Sequence, residues 1–294
     1  MIVADPTESR NRVDRSRALK REKARHYRNT AIAIALCVVL VAGLGLAGWF
    51  LYSKAKASRR PSIETFRVTL PEGLTLKQTA LKVGEATEGN ISAGAFEAAA
   101  KGGGYNYGFL AGANDNLEGF LFPKTYDLTS RTSAHASVNM LLKQFRIETE
   151  NLEWSRTQSL GVSKYQVVII ASLIEKEAKV PEDRPLIASV IYNRLKRNMK
   201  LGIDATVEYA LGQWKPVLTN SDLQVDSPYN TYKIDGLPPA PICNPGFESI
   251  RAALYPGTTD YLYYILTGSD GKHSFTADYK EFLRWKEERD KKGP

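Results

Sequence analysis

An uncharged apolar segment near the N-terminus constrains this chain more than any other feature. Residues 29–53 contain no charged side chain, and the stretch from Ala31 to Tyr52, AIAIALCVVLVAGLGLAGWFLY, is almost entirely apolar. As a helix rising about 1.5 Å per residue, such a segment crosses a hydrocarbon layer of roughly 30 Å. Trp49 and Tyr52 lie where interfacial aromatic residues are expected. The sequence therefore predicts a transmembrane helix over residues 30–53.

The charges flanking this segment predict its orientation. Residues 1–28 hold nine Lys/Arg and four Asp/Glu, and residues 54–60 hold four more basic residues. The larger positive charge on the N-terminal side predicts a cytoplasmic basic arm at residues 1–29, a linker at 54–65 and an exported C-terminal part. A cleaved signal peptide is the alternative, because Ala55-Lys56-Ala57 resembles a cleavage site, but the apolar run is longer than a signal peptide needs.

The remainder of the chain carries almost no net charge. Residues 61–294 hold 27 basic and 28 acidic groups, which argues against nucleic acid as a partner of the main domain. The chain has three histidines, no H-E-x-x-H motif and two widely separated cysteines. We therefore expect neither a metal site nor a cofactor.

Residues 66–115 form a first pattern of elements. A strand from Phe66 to Leu70 precedes a turn and a helix capped by Thr75, and a second helix begins near Ser92 and ends at the glycines 102–104. This strand–helix–helix unit resembles a LysM module. The alternative is a packing subdomain without affinity for a ligand.

Residues 116–294 predict a larger α+β domain. An edge strand around Pro123 should open it, followed by a helix from Ala134 into the 150s. The candidate inward positions of this helix are Val138, Met140, Leu141, Phe145 and Ile147. Helices are then predicted from Ser163 to Pro181, from a cap at Asp183 to about Met199, over Phe247–Leu254 and over Asp278–Lys291, with a β-hairpin turning at residues 269–271. The fold class is thus α+β: a transmembrane helix, a small LysM-like subdomain and a mixed catalytic domain.

Two glutamates end the apolar run VVIIASLI of the helix from Ser163. Glu177 continues the stripe of Val167, Ile170 and Ile174, because it lies about 60° from Ile174 on a helical wheel. Glu175 lies about 100° away on the other side. A carboxyl group on the buried stripe would have a raised pKa and suit a general acid, whereas Glu175 is more easily structural or solvated. The ordinary alternative for both is a solvated helix end.

The proline-rich loop SPYNTYKIDGLPPAPICNPG carries side chains suited to a carbohydrate. Hydroxyl, amide and aromatic groups on a stiff loop fit a sugar with N-acetyl groups. Asp204, from the segment before this loop, could orient the cleft. The predicted substrate-binding residues are Tyr229, Asn230, Thr231, Tyr232, Asn244 and Asp204. An ordinary loop with tyrosines packed on the core is the alternative.

From Asn116 onward the chain resembles the endolytic murein transglycosylase family (YceG-like). About 180 residues carry the resemblance in ordered blocks: EGFLFP at 118–123, ASLIEKE at 171–177, VIYNRL at 190–195, DATVEYALG at 204–212, SPYNTY at 227–232, GLPP at 236–239, NPG at 244–246 and His273-x-Phe275.

The resemblance implies cleavage of the β-1,4 bond between N-acetylmuramic acid and N-acetylglucosamine in peptidoglycan, giving 1,6-anhydro ends and terminating strand elongation. A related A-L-I-x-x-E-S pattern aligns its catalytic glutamate with Glu177, with Glu175 as second choice, and puts Ala178 in place of the serine. Peptidoglycan strands and the membrane are then the expected partners, with peptidoglycan synthases as further candidates. A hydrolytic muramidase using Asp204, or a non-catalytic scaffold, are the alternatives.

Overall fold

The computed structural model describes residues 6–58, 63–215, 217–267 and 270–292, and it divides into two compact units, Met1–Ser62 and Ile63–Pro294. The described residues of the first unit form one helix, α1 (Pro6–Ser58), so the expected basic arm is helical from Pro6 onward and the start of the expected linker is helical as far as Ser58. Within it, Leu19–Lys56 is long and apolar enough to cross a membrane, with mean hydropathy 2.6 in its most apolar window and no buried side chains there. Residues 1–5 and 59–62 lie outside the described part.

The second unit contains nine further helices and two small sheets among its described residues. The helices are α2 (Leu76–Ala86), α3 (Ala93–Lys101), α4 (Ala134–Thr149), α5 (Arg156–Leu160), α6 (Lys164–Glu177), α7 (Arg184–Lys196), α8 (Asp204–Leu211), α9 (Phe247–Leu254) and α10 (Tyr279–Lys292). The strands are β1 (Thr65–Thr69), β2 (Thr125–Thr129), β3 (Tyr263–Leu266) and β4 (His273–Thr276). A mixed α+β fold is thereby confirmed.

The first sheet joins the two expected subdomains. β1 and β2 pair antiparallel, with Val68 opposite Tyr126. The strand predicted to open the catalytic domain thus completes the sheet of the LysM-like segment, and Ile63–Pro294 forms one compact unit. The LysM-like subdomain at residues 66–115 stays a prediction. The turn before β2 needs Gly119, whose φ is +92°, because an added Cβ would lie 2.6 Å from the Pro241 ring.

Helix α6 runs through the centre of this unit. Every residue from Val167 to Ile174 is buried, which explains why its apolar residues cover several sides of the helix. Ser163 caps its N-terminus in a capping box with Gln166. The helix ends at Glu177, four residues before Pro181.

Two other helices differ from the sequence expectations. On α4, Val138, Leu141 and Phe145 are buried as predicted, but Met140 and Ile147 are 36% and 42% exposed. Asp183 precedes α7 without capping it through its side chain, and α7 ends at Lys196. The second sheet is the predicted hairpin, β3 with β4, with Tyr264 opposite Phe275. Ser269 of its expected turn lies outside the described residues.

Candidate active site

Glu177 lies at the last turn of α6, half-buried, and it contacts the hairpin. Its Oε2 accepts a hydrogen bond of 3.0 Å from the hydroxyl group of Tyr264 on β3. The carboxyl group therefore has a fixed partner on one oxygen. A carboxyl group held in this way can present its other oxygen to a substrate.

The surroundings of Glu177 keep it protonated near neutrality. Withdrawal from water is the main cause that raises its pKa from an ordinary value of 4.5 to about 7, and the charges of Asp204 and Glu208 contribute to that rise. The Tyr264 hydrogen bond and the Lys179 ammonium act in the opposite direction. A carboxyl group with a pKa near 7 can both donate and accept a proton at physiological pH.

Asp204 and Tyr232 form a second pair at this site. Asp204 is exposed in the first turn of α8, where the helix dipole favours a carboxylate. It accepts a hydrogen bond of 2.5 Å from the Tyr232 hydroxyl group, and Tyr232 is 38% exposed. Burial of its hydroxyl region and then the Asp204 bond raise the pKa of Tyr232, and the charge of Glu177 contributes. The structure thus brings Glu177, Asp204 and Tyr232 together.

Helix α7 holds the hairpin in place beside Glu177. The Arg194 guanidinium donates to the carbonyl oxygens of Leu262, at 2.7 Å, and Leu201, at 2.5 Å. The Asn193 amide donates to the carbonyl oxygens of Thr259 and Tyr261. The bonds to Thr259, Tyr261 and Leu262 fix the segment that leads into β3, the strand that carries Tyr264.

Glu175 points elsewhere. Its Oε2 accepts hydrogen bonds from the Gly246 amide, at 3.1 Å, and from the Ser249 hydroxyl group, at 2.7 Å. Both donors lie at the start of α9, where a carboxylate also stabilises the helix dipole. Glu175 therefore joins α6 to α9, and its position is structural.

Three residues expected to bind substrate are buried and bonded within the protein. The Asn230 amide donates to the carbonyl oxygens of Leu223 and Val225, and the Thr231 hydroxyl group contacts Thr206 and the Ile203 amide. Asn244 accepts from the amides of Gly119 and Leu121 and donates to Leu74 and Thr79. Asn230, Thr231 and Asn244 are at most 1% exposed, so the structure gives them a role in shaping the loop. Tyr229 is half-buried against Tyr209, with ring centroids 4.8 Å apart.

Sequence reasoning missed Tyr264 and Glu118. Tyr264 pairs with Phe275 across the hairpin, so the His273-x-Phe275 pattern and the strand register could have placed it on the same face. Glu118 is 4% exposed and accepts from the Leu76 amide and the Tyr209 hydroxyl group; burial raises its pKa to about 8. Nothing in the EGFLFP segment alone indicates that its carboxyl group is buried.

Among residues 6–58, 63–215, 217–267 and 270–292, no group of three His, Cys, Asp or Glu side chains could hold a metal ion.

Comparison with known proteins finds one family model and curated relatives that share one name. The model of the YceG-like family matches residues 51–288. A Bacillus subtilis protein named endolytic murein transglycosylase is 46% identical over 174 residues, covering 58% of this chain and 47% of the relative. A Streptococcus pneumoniae protein of the same name is 33% identical over 239 residues, covering 74% of this chain and 43% of the relative. The chain thus matches about half the length of these curated relatives.

A solved structure has the same fold. The crystal structure of a yceG-like protein from Listeria monocytogenes superposes with a TM-score of 0.65 at 34% identity, covering 74% of this chain and 75% of that chain. Because the family model spans most of the sequence, this chain belongs to the YceG-like family.

Proposed function

We propose that this protein is an endolytic lytic transglycosylase that cleaves the β-1,4 bond between N-acetylmuramic acid and N-acetylglucosamine within peptidoglycan strands. Glu177 carries the proposal, because it is a half-buried carboxyl group with a pKa near 7 beside the exposed Asp204–Tyr232 pair. The names of the Bacillus and Streptococcus relatives support the substrate and the reaction class.

In the proposed reaction Glu177 acts first as acid and then as base. Its proton passes to the glycosidic oxygen, and the bond from that oxygen to C1 of the muramyl residue breaks. The C6 hydroxyl group of the same sugar then attacks C1 and returns its proton to Glu177, which gives a 1,6-anhydro end without consuming water. A second carboxylate nucleophile, as in a retaining glycosidase, is not needed.

Asp204 and Tyr232 are the proposed sugar-contacting residues. Both are exposed at the mouth of the site, and Tyr232 offers an aromatic face beside a carboxylate. The same position makes a hydrolytic reaction the second candidate, because Asp204 could activate a water molecule. A non-catalytic scaffold that only holds glycan is the third candidate.

The apolar helix supports a location for this reaction. We propose that α1 anchors the protein in the cell membrane, with its N-terminus in the cytoplasm and the unit from Ile63 outside. An enzyme held there would act on newly made strands and terminate their elongation. Peptidoglycan synthases are the proposed protein partners.

Mass spectrometry of peptidoglycan strands incubated with the detergent-solubilised chain tests the proposal. Wild type should produce anhydromuramyl ends, which are lighter by one water than reducing ends, and Glu177→Gln should reduce their formation by at least about 1000-fold. Reducing ends would indicate a muramidase. Equal products from wild type and Glu177→Gln would exclude Glu177 as the acid.

Glu175→Gln is the matched control, since it removes the neighbouring carboxylate from the same helix end. It weakens the bonds to Gly246 and Ser249, so we expect a loss of about 1–3 kcal/mol in the free energy of unfolding. Cleavage per folded molecule should remain near wild type. A loss as large as that of Glu177→Gln would move the acid to Glu175.

A further inference from the structure

We propose that Asp183 and His273 form a positioning pair that holds Tyr264 against Glu177, so that two residues outside the cleft fix the orientation of the acid. The inference rests on the proposed function. It concerns residues that neither donate to the substrate nor carry the reacting proton.

Asp183 and His273 are buried and are joined by two hydrogen bonds. One oxygen of Asp183, Oδ2, accepts from the backbone amide of His273 at 2.9 Å and lies 2.8 Å from Nδ1 of its ring. The two side chains are only 6% and 7% exposed. Asp183 does not cap the helix that it precedes, so its carboxylate serves the hairpin instead. A buried carboxylate with these partners fixes both the backbone of β4 and the plane of the imidazole ring.

The imidazole ring packs on Tyr264. The two rings meet edge to face, with centroids 5.4 Å apart and an interplanar angle of 85°. Phe275 packs on Tyr264 at 6.0 Å and on His273 at 6.2 Å, which closes a cluster of three rings. The Tyr264 hydroxyl group projects from this cluster to Glu177 Oε2. A shift of the His273 ring therefore changes the direction of the only hydrogen bond that the described residues give to Glu177.

The Asp183–His273 pair also fixes the position of the hairpin through its second strand, β4. Arg194 and Asn193 hold the segment before β3, whereas Asp183 holds β4 at His273. All three residues belong to α7 or directly precede it. One helix thus fixes both strands of the hairpin, and α7 in turn packs beside α6, which carries Glu177.

The groups around Glu177 set its pKa, and this pKa sets the alkaline limit of the proposed reaction. Asp204 and Glu208 come from α8, Lys179 from the segment after α6, and Tyr264 from β3; Tyr232 faces the same group, and Arg194 acts on Tyr264. Of these, the Tyr264 bond and, to a smaller extent, the Lys179 charge lower the pKa of Glu177. Loosening Tyr264 should therefore raise that pKa and move the alkaline limit of the reaction to higher pH.

His273→Asn tests the pair in the full chain. Asn places an amide donor near the position of Nδ1, so it can keep the bond to Asp183, but it lacks the ring that packs on Tyr264. We expect kcat to fall about 10- to 100-fold with KM changed less than about threefold, and the alkaline limit to rise by about half a pH unit. His135→Asn, an exposed histidine stacked on Tyr105, is the matched control and should match wild type.

Coupling to Tyr264 separates positioning from general loss of packing. Tyr264→Phe should reproduce the pH shift, and its combination with His273→Asn should cost little more than Tyr264→Phe alone. Multiplicative effects, or a His273→Asn variant with wild-type kcat and pH profile, would overturn the inference. If His273→Asn does not fold, Asp183→Asn takes its place with the same expectations.

A titration independent of activity separates this inference from the proposed function. The carboxyl carbon of Glu177, labelled with ¹³C and assigned with Glu177→Gln, should titrate at higher pH in His273→Asn than in wild type. That shift supports the positioning pair even where no strand cleavage is seen. Equal titration curves in the two proteins contradict it even where wild type cleaves strands.

Discussion

The proton on Glu177 should set the alkaline limit of the proposed reaction. Its withdrawal from water is the main cause that raises its pKa to about 7. A general acid must carry its proton before the bond breaks, so the competent fraction falls tenfold for each pH unit above that pKa. We expect log(kcat/KM), which reports the pKa of the free enzyme, to decline with a slope of about −1 above pH 7. A rate that stays constant over the next two pH units would contradict the assignment of Glu177 as acid.

Glu118 should affect the pH dependence of stability instead. Burial raises its pKa from 4.5 to about 8, so the folded protein binds a proton that the unfolded chain has already released in this range. The free energy of unfolding should therefore fall as pH rises from about 5 to about 8. Glu118→Gln keeps an acceptor for the Leu76 amide and removes this loss.

Denaturant titration of Glu118→Gln at two pH values measures the effect. The variant should match wild type near pH 5 and exceed it by up to about 4 kcal/mol near pH 8. A difference between the two proteins that does not change with pH would show that Glu118 keeps an ordinary pKa.

At the scale of single residues, the sequence predicts the role of a side chain where that role depends on neighbours close in the chain. Glu177 was distinguished from Glu175 because helical periodicity relates it to Val167, Ile170 and Ile174 three to ten residues earlier. Tyr264 and Glu118 were missed, because their partners lie 87 and 42 residues away in the chain. The burial of Asn244 is hidden from the sequence for the same reason: an amide suits a sugar or a buried backbone equally well until its neighbours are known.

Asn244 joins three segments of the fold and offers a test at the scale of elements. It satisfies the amides of Gly119 and Leu121 before β2 and the carbonyl oxygen of Leu74 before α2. Asn244→Ala leaves the buried amides of Gly119 and Leu121 without an acceptor, whereas Leu74 keeps its bond from the backbone amide of residue 244. We therefore expect a loss of about 3–5 kcal/mol in the free energy of unfolding. Thermal unfolding of the variant measures this loss.

Tyr232→Phe is the control for Asn244→Ala, because Tyr232 is exposed and its hydroxyl group bonds only to Asp204 among the described residues. Its melting temperature should stay close to that of wild type, whereas strand cleavage should fall. An Asn244→Ala variant of normal stability but weak glycan affinity would restore the substrate-binding role first expected for Asn244.

Helices were predicted better than the contacts between elements. Thr75, Ser92 and Ser163 cap α2, α3 and α6 as expected, because an N-cap is a local signal. Asp183 carries the same signal but bonds His273, 90 residues later. Tertiary partners thus override local propensity where a polar side chain is buried. The exposure of Met140 and Ile147 on α4 likewise depends on which elements pack against that helix.

At the scale of the whole molecule, one sheet joins the two segments that the sequence analysis divides at residue 116. Strand β2 returns to β1 across about 55 residues, so the LysM-like segment and the rest of the unit share a sheet. The sequence does not indicate that β1 pairs with β2, because both strands are short and end at ordinary turn residues. The mixed α+β class was nevertheless predictable, since each element has its own periodicity and boundaries.

The division of the chain at residue 62 predicts separate behaviour of its two units. Ile63–Pro294 has a continuous core from Val68 to Leu254, whereas the large apolar side chains of α1 between Leu19 and Tyr52 are exposed. A fragment of residues 63–294 should therefore remain in aqueous buffer and unfold cooperatively, while the full chain stays in the membrane pellet after washing with alkaline carbonate. In intact cells stripped of their wall, added protease should digest the unit after Ile63 and spare an epitope placed before Pro6, because positive charge is retained in the cytoplasm. Release of the full chain by carbonate would exclude the anchor, and loss of the N-terminal epitope alone would reverse the orientation.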